Sequence, residues 1–325
     1  MTGTQRKTRL IWLLVAGGLL LATAVLIPVV GIDTKKGAQQ EKVVNNLRQV
    51  QMAVDDDRQR QRAAAAAESV SPAVKTESGI LIHTVRSEYQ AAATKIKVLL
   101  PGALDLVARH RVLYVLPVEP LDGVRWGDGL REVKNHDLHN RFGVICVEPT
   151  FSDLPWYADH PTIATRRQES YLLKVVVPFI DRTYPTLARP DGRWLLGFSK
   201  SGYGAFSLLL RNPEVFGRAA AWDAPLMMER PDRYGMGDIF GTQENFEKYQ
   251  ISTLLRQRAA GLSPSVRLVH FGYGGFREHH QSAHKLMEKL GIAHQYRDGP
   301  KREHSWHSGW LSEALEMLAG KAKDR

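Results

Sequence analysis

The residues most able to do chemistry lie in the stretch RWLLGFSKSGYGAFSLLLRNPEVF. An apolar strand-like run enters a serine at a sharp turn, and a helix of small residues and then leucines follows. Small neighbours give such a serine room, and the amino terminus of the helix aims backbone N–H groups at a developing oxyanion. The pattern predicts a nucleophile elbow with Ser199 as the attacking group in Gly197-Phe198-Ser199-Lys200-Ser201. Ser201 stands where the G-x-S-x-G pattern has its second glycine, with Gly202 and Gly204 close behind. Ser201 is the fallback nucleophile, although it lies further into the helix and lacks a glycine two positions before it.

A serine of this kind needs a base and a carboxylate to orient that base. Seven of the twelve histidines fall between His270 and His307. His280 and His284 stand four apart on a predicted helix and could face one metal, but no H-E-x-x-H accompanies them, and neither metal nor other cofactor is expected. The single cysteine, Cys146, excludes a disulfide within the chain and any multi-cysteine metal site. It reads as a buried strand residue.

The elements that must hold these residues alternate strand and helix. Candidate strands are 80–85, 95–100, 112–116, 144–147, 193–197, 219–222, 266–271 and 294–297. The clearest helices are 168–182, which contains Pro178, and 202–211, 278–290 and 308–322. Extended runs come first and strand-helix units later, which predicts one α/β domain with a mainly parallel central sheet flanked by helices.

With these motifs in hand, the chain resembles the esterase D and feruloyl-esterase group of α/β-hydrolases, which includes S-formylglutathione hydrolases and mycolyltransferases. LLGFSKSGYGAFSLLLRNPEVF resembles the elbow of that group and KIKVLLPG its early strand. SYLLKVVVPFIDRTYPT resembles its pre-elbow helix, and EHSWHSGW its histidine loop. The resemblance covers about Gly79 to the carboxyl end. It implies the α/β-hydrolase fold, serine hydrolase or acyltransferase chemistry, and His304 as the base, flanked by Trp306 and Trp310. The group carries its acid just after the strand at 266–271, where this chain has Gly272-Tyr273-Gly274-Gly275-Phe276-Arg277-Glu278. Two carboxylates remain: Asp223, closing the preceding strand in AAAWDAPLM, and Glu278. Asp223 is preferred, since a carboxylate at the end of an apolar strand is costly unless a partner uses it. One oxyanion donor is expected from the Lys200 N–H. The other is expected from the loop LPVEPLDG, where Pro117 and Pro120 cannot donate and Val118 or Glu119 must. Trp156 and Tyr157 resemble an aromatic pair near the substrate pocket, with core packing as their alternative role.

Upstream, residues 10–32 carry no charge, long enough to span a ~30 Å hydrocarbon core as a helix. Arg6, Lys7 and Arg9 precede the run, and Lys35 and Lys36 follow it, a bias that favours a cytoplasmic amino terminus. Residues 1–36 are therefore expected to be a signal-anchor, or a signal peptide cleaved near Ala22-Thr23-Ala24. Residues 37–78 are expected to form a helical or flexible spacer, and residues 79–325 an exported α/β-hydrolase domain. The net charge of +10 divides into +4 over residues 1–78 and +6 spread over the rest without a basic run, which argues against a nucleic-acid partner. The expected activity is a membrane-anchored or secreted serine esterase acting on a small-molecule or polymer-linked ester. Acyl transfer to an alcohol, and a silent scaffold that kept the fold, are the alternatives.

Overall fold

The computed structural model describes residues 43–55, 69–262, 265–272 and 274–320. The chain divides into two compact units, Met1–Arg60 and Gln61–Arg325. In the first, residues 43–55 form a helix whose Val43, Leu47, Val50 and Val54 are exposed, in keeping with the apolar spacing. No helix among the described residues is long and apolar enough to cross a membrane. The apolar run 10–32 lies outside the described residues.

The second unit is built on one ten-stranded sheet. Its strands are β1 (Ser69–Val70), β2 (Val74–Lys75), β3 (Leu81–Arg86), β4 (Thr94–Leu99), β5 (Val112–Val115), β6 (Ile145–Pro149), β7 (Arg193–Phe198), β8 (Arg218–Trp222), β9 (Leu268–Phe271) and β10 (His294–Arg297). The order across the sheet is β1-β3-β4-β6-β5-β7-β8-β9-β10, with β2 paired to β3. The first strands run antiparallel, through β4 against β6, and every pairing from β6 to β10 is parallel. The expectation of a mainly parallel sheet is thus corrected to a mixed one. The residues between β3 and β4 are too few for a crossover helix, so those strands can only pair antiparallel. The sheet also starts at Ser69, inside the stretch 37–78 expected to be spacer.

Alternation along the strands divides the core in two. Val112, Tyr114 and Leu195 face one layer with Val176, Leu208, Leu254 and Ala283. Leu113, Leu196 and Val269 face the other, with Leu130 and Leu315. The helices that supply these side chains are α1 (Gly129–Asn135), α2 (Ser199–Arg211), α3 (Ile251–Leu262), α4 (Arg277–Lys289) and α5 (Leu311–Leu318). The pre-elbow helix also keeps its predicted place, but its middle, Leu172–Val176, is π-helical between α-helical Gln168–Tyr171 and Val177–Thr183. Pro178 has no N–H to donate back along the helix, and the wider turn directly before it absorbs the mismatch.

Candidate active site

Ser199 sits where β7 gives way to α2, with φ of +52°, a left-handed conformation that a non-glycine residue holds only under strain. Gly197 is required beneath it, because a Cβ there would overlap the Ser201 carbonyl. Gly202 packs against Ala224 in the same way. Ser201 is fully buried. Its Oγ donates to the Phe198 carbonyl at 2.9 Å and accepts from the Phe198 N–H at 3.0 Å. Its hydroxyl closes the elbow back onto the strand end, so Ser201 has no reach to a ligand and the fallback role falls away.

Asp223 directly follows β8, and the structure brings it to His304: Oδ2 accepts from Nδ1 at 2.6 Å. The carboxylate is fully buried. It also accepts from the backbone N–H of Phe276 at 2.8 Å and of Gly275 at 3.3 Å. These donors belong to the loop after β9, the loop in which the resemblance led one to expect the acid. Here that loop offers N–H groups to a carboxylate one strand over. Gly274, at φ +142°, is indispensable to the arrangement, since a Cβ would collide with the Asp223 carboxylate. Like Ser199, Asp223 has a positive φ, +37°. The following residue is pinned as well, its Ala224 N–H donating to buried His280 Nε2 at 2.8 Å. Glu278 lies exposed in the first turn of α4, and the structure does not bring it to His304.

The His304 ring is held by aromatics. Phe198, the residue before the elbow serine, lies 4.8 Å away between centroids, Trp126 at 5.2 Å, and Trp222 stacks on it at 6.3 Å. Trp222, Trp306 and Trp310 continue the stack behind it. Such contacts fix ring position through shape and quadrupole rather than charge. His307 points elsewhere, to Glu132 at 3.0 Å.

Lys200 is the second residue of α2, where backbone N–H groups have no partner within the helix. Its Nζ lies 3.7 Å from Glu119 Oε1, and burial lowers the lysine pKa. Among the described residues, the N–H groups of Val118 and Glu119 make no hydrogen bond. Trp156 and Tyr157 are packed inside the domain. They are 0% and 1% exposed, their rings packed on Phe151, Tyr203 and Phe240, and both backbone N–H groups donate to Gln168 Oε1. This burial agrees with the packing alternative for the pair, with one addition that residue types alone did not show. Tyr157 OH donates to the Pro117 carbonyl at 2.6 Å, and its ring fills the space left by the missing side chain of Gly204 on α2.

No described group of three or more His, Cys, Asp or Glu side chains is placed to hold a metal. His280 Nδ1 meets His270 Nδ1 at 3.0 Å, whereas His284 Nδ1 meets His294 Nε2 at 2.8 Å, so the two predicted helical histidines turn to different partners.

Residues 153–306 match the family model "Putative esterase". Esterase MT1326 of Mycobacterium tuberculosis is 27% identical over 89 residues, 27% of this chain and 20% of that protein. The chain thus spans about a fifth of the length of the curated relatives it matches. Among solved structures, a ferulic acid esterase superposes with a TM-score of 0.60 at 17% identity, over 75% of this chain and 98% of that one. An S-formylglutathione hydrolase from Agrobacterium tumefaciens gives 0.60 at 14% identity, over 78% and 100%. These likenesses share the sheet and helices described above. The matched segment runs through the elbow and the Asp223 strand to the histidine loop, so over residues 153–306 the chain is similar to the "Putative esterase" family, on a fold shared with these solved hydrolases.

Proposed function

We propose that the domain hydrolyses carboxylic esters through Ser199, His304 and Asp223. The observation that carries this reading is the 2.6 Å hydrogen bond from His304 Nδ1 to buried Asp223, beside an elbow serine at φ +52°. With Nδ1–H committed to the carboxylate, Nε2 holds the lone pair and acts as the base. Ser199 Oγ bonds to the ester carbonyl carbon while its proton passes to Nε2. The oxyanion is met by the Lys200 N–H and an N–H of the Val118–Glu119 segment. The carbon–alkoxide bond then breaks as His304 returns the proton to the alcohol, and water repeats the sequence on the acyl-serine. The reading extends to an exported domain tethered through residues 10–32.

A membrane-impermeant fluorophosphonate applied to intact cells, and p-nitrophenyl acetate given to the purified protein, test both parts. Labelling and turnover by the native protein but not by Ser199→Ala are expected. Equal behaviour of the two proteins overturns the chemistry, and labelling only after lysis overturns the location. An added alcohol yielding a transesterified product would assign acyl transfer instead.

A further inference from the structure

A cleft of about 460 Å³ opens beside His304 and Asp223, walled by the Gly274–Gly275 loop and by Arg277, Lys301 and Arg302. Three cations and the Asp223 carboxylate line it, while Asp298 and Glu313, which are not among its lining residues, pair with the two arginines. Asp223 is already satisfied by His304 and two backbone N–H groups. The cationic wall is not a loose surface. Arg277 donates Nε and Nη2 to Asp298 at 2.7 and 2.5 Å. Arg302 donates Nη1 to the Ser308 carbonyl at 3.0 Å and lies 3.5 Å from Glu313. Both guanidiniums are thereby held at the wall, which lowers the entropy lost when a ligand engages them. Lys301 is exposed at the rim. The oxyanion side differs, because its cation, Lys200, faces Glu119.

We infer that this cleft is a subsite for an anionic group, a carboxylate or phosphate, on the alcohol portion of the ester. The inference rests on the proposed chemistry for its orientation. His304 delivers its proton to the departing alcohol, so that portion lies along the histidine loop, where Lys301 and Arg302 precede His304 by three and two residues. Arginine and lysine at a cleft wall match carboxylate or phosphate geometry through charge-assisted hydrogen bonds.

The test compares 4-acetoxybenzoate with the neutral 4-acetoxybenzamide, leaving phenols of like size that differ in charge, each rate being divided by that ester's hydroxide-catalysed rate to remove the difference in phenol acidity. For the native protein kcat/KM is expected to favour the benzoate by about tenfold, the effect of one charge-assisted contact. In Lys301→Gln/Arg302→Gln that ratio is expected to fall to about one. Reading the ratio within each protein removes any general change in activity. A native ratio of one or less, or a ratio unchanged in the variant, overturns the subsite. A preference of equal size for an anionic acyl chain, in p-nitrophenyl succinate over p-nitrophenyl butyrate, overturns its assignment to the alcohol side. Ligand-observed NMR titration of Ser199→Ala with the same benzoate and benzamide separates the two proposals. Charge-selective binding without native turnover sinks the esterase chemistry and keeps the subsite, and turnover without charge selectivity sinks the subsite alone.

Discussion

Asp223 is a side chain whose burial makes sense only through its partners. An isolated carboxylate with no exposed surface would cost several kcal/mol, and here three donors meet it. Asp223→Asn keeps the shape but loses the charge and the means to fix the histidine tautomer. It is expected to lower kcat by about 10³ to 10⁴, whereas Glu278→Gln stays within about twofold. Steady-state hydrolysis of p-nitrophenyl acetate reads both, and a larger loss in the Glu278 variant would reverse the choice of acid. At this scale the sequence spoke unevenly. Ser199 was legible because an elbow imposes small residues at fixed spacing, and the histidine loop because its tryptophans accompany His304. Asp223 was preferred over Glu278 only because a carboxylate closing an apolar strand is costly without a partner, and the donors that hold it could not be read at all. They are backbone N–H groups of Gly275 and Phe276, and no side-chain type announces them.

Between elements, Tyr157 does what neither its position nor its neighbours predicted. It joins the Pro117 carbonyl of the loop after β5 to the Gly204 surface of α2. In a trans peptide the carbonyl and the following N–H point opposite ways, so anchoring Pro117 O fixes the direction of the Val118 N–H. Tyr157→Phe removes that anchor and leaves the ring in place. It is expected to lower kcat about tenfold with KM little changed, part of the effect of losing an oxyanion donor outright. A fall confined to KM, or none, would return Tyr157 to packing alone. Several element boundaries escaped the sequence for similar reasons. Strands of two residues such as β1 and β2 carry no periodicity, and the π-helical turn before Pro178 is a register change, invisible to a hydrophobic pattern that it leaves intact. The strands from β3 to β10, by contrast, lie within a few residues of their apolar runs.

Across the molecule, the histidines left over from the site shape its response to acid. His270 and His280 are fully buried, and desolvation is the main cause that pulls both downward, His280 to about 3 from an ordinary 6.5. Below about pH 6.5 the unfolded chain takes up protons that the folded chain refuses, so stability is full above that pH and falls as pH drops toward 3. His280 alone accounts for about 2 kcal/mol lost between pH 6.5 and pH 5. Thermal melts at pH 7 and pH 5 should show the midpoint falling, and His280→Gln, which keeps an acceptor for the Ala224 N–H, should flatten that fall. A slope identical in the variant would remove His280 from the account. The sheet itself adds a mechanical property. Phe198 pairs in register with Trp222, so Ser199 and Asp223 leave adjacent parallel strands side by side. Twisting or shearing of the sheet carries these two residues as one piece. His304, by contrast, reaches Asp223 from a loop, and the rings of Trp222, Trp306 and Trp310 stacked behind it are what brace that loop against the strand pair.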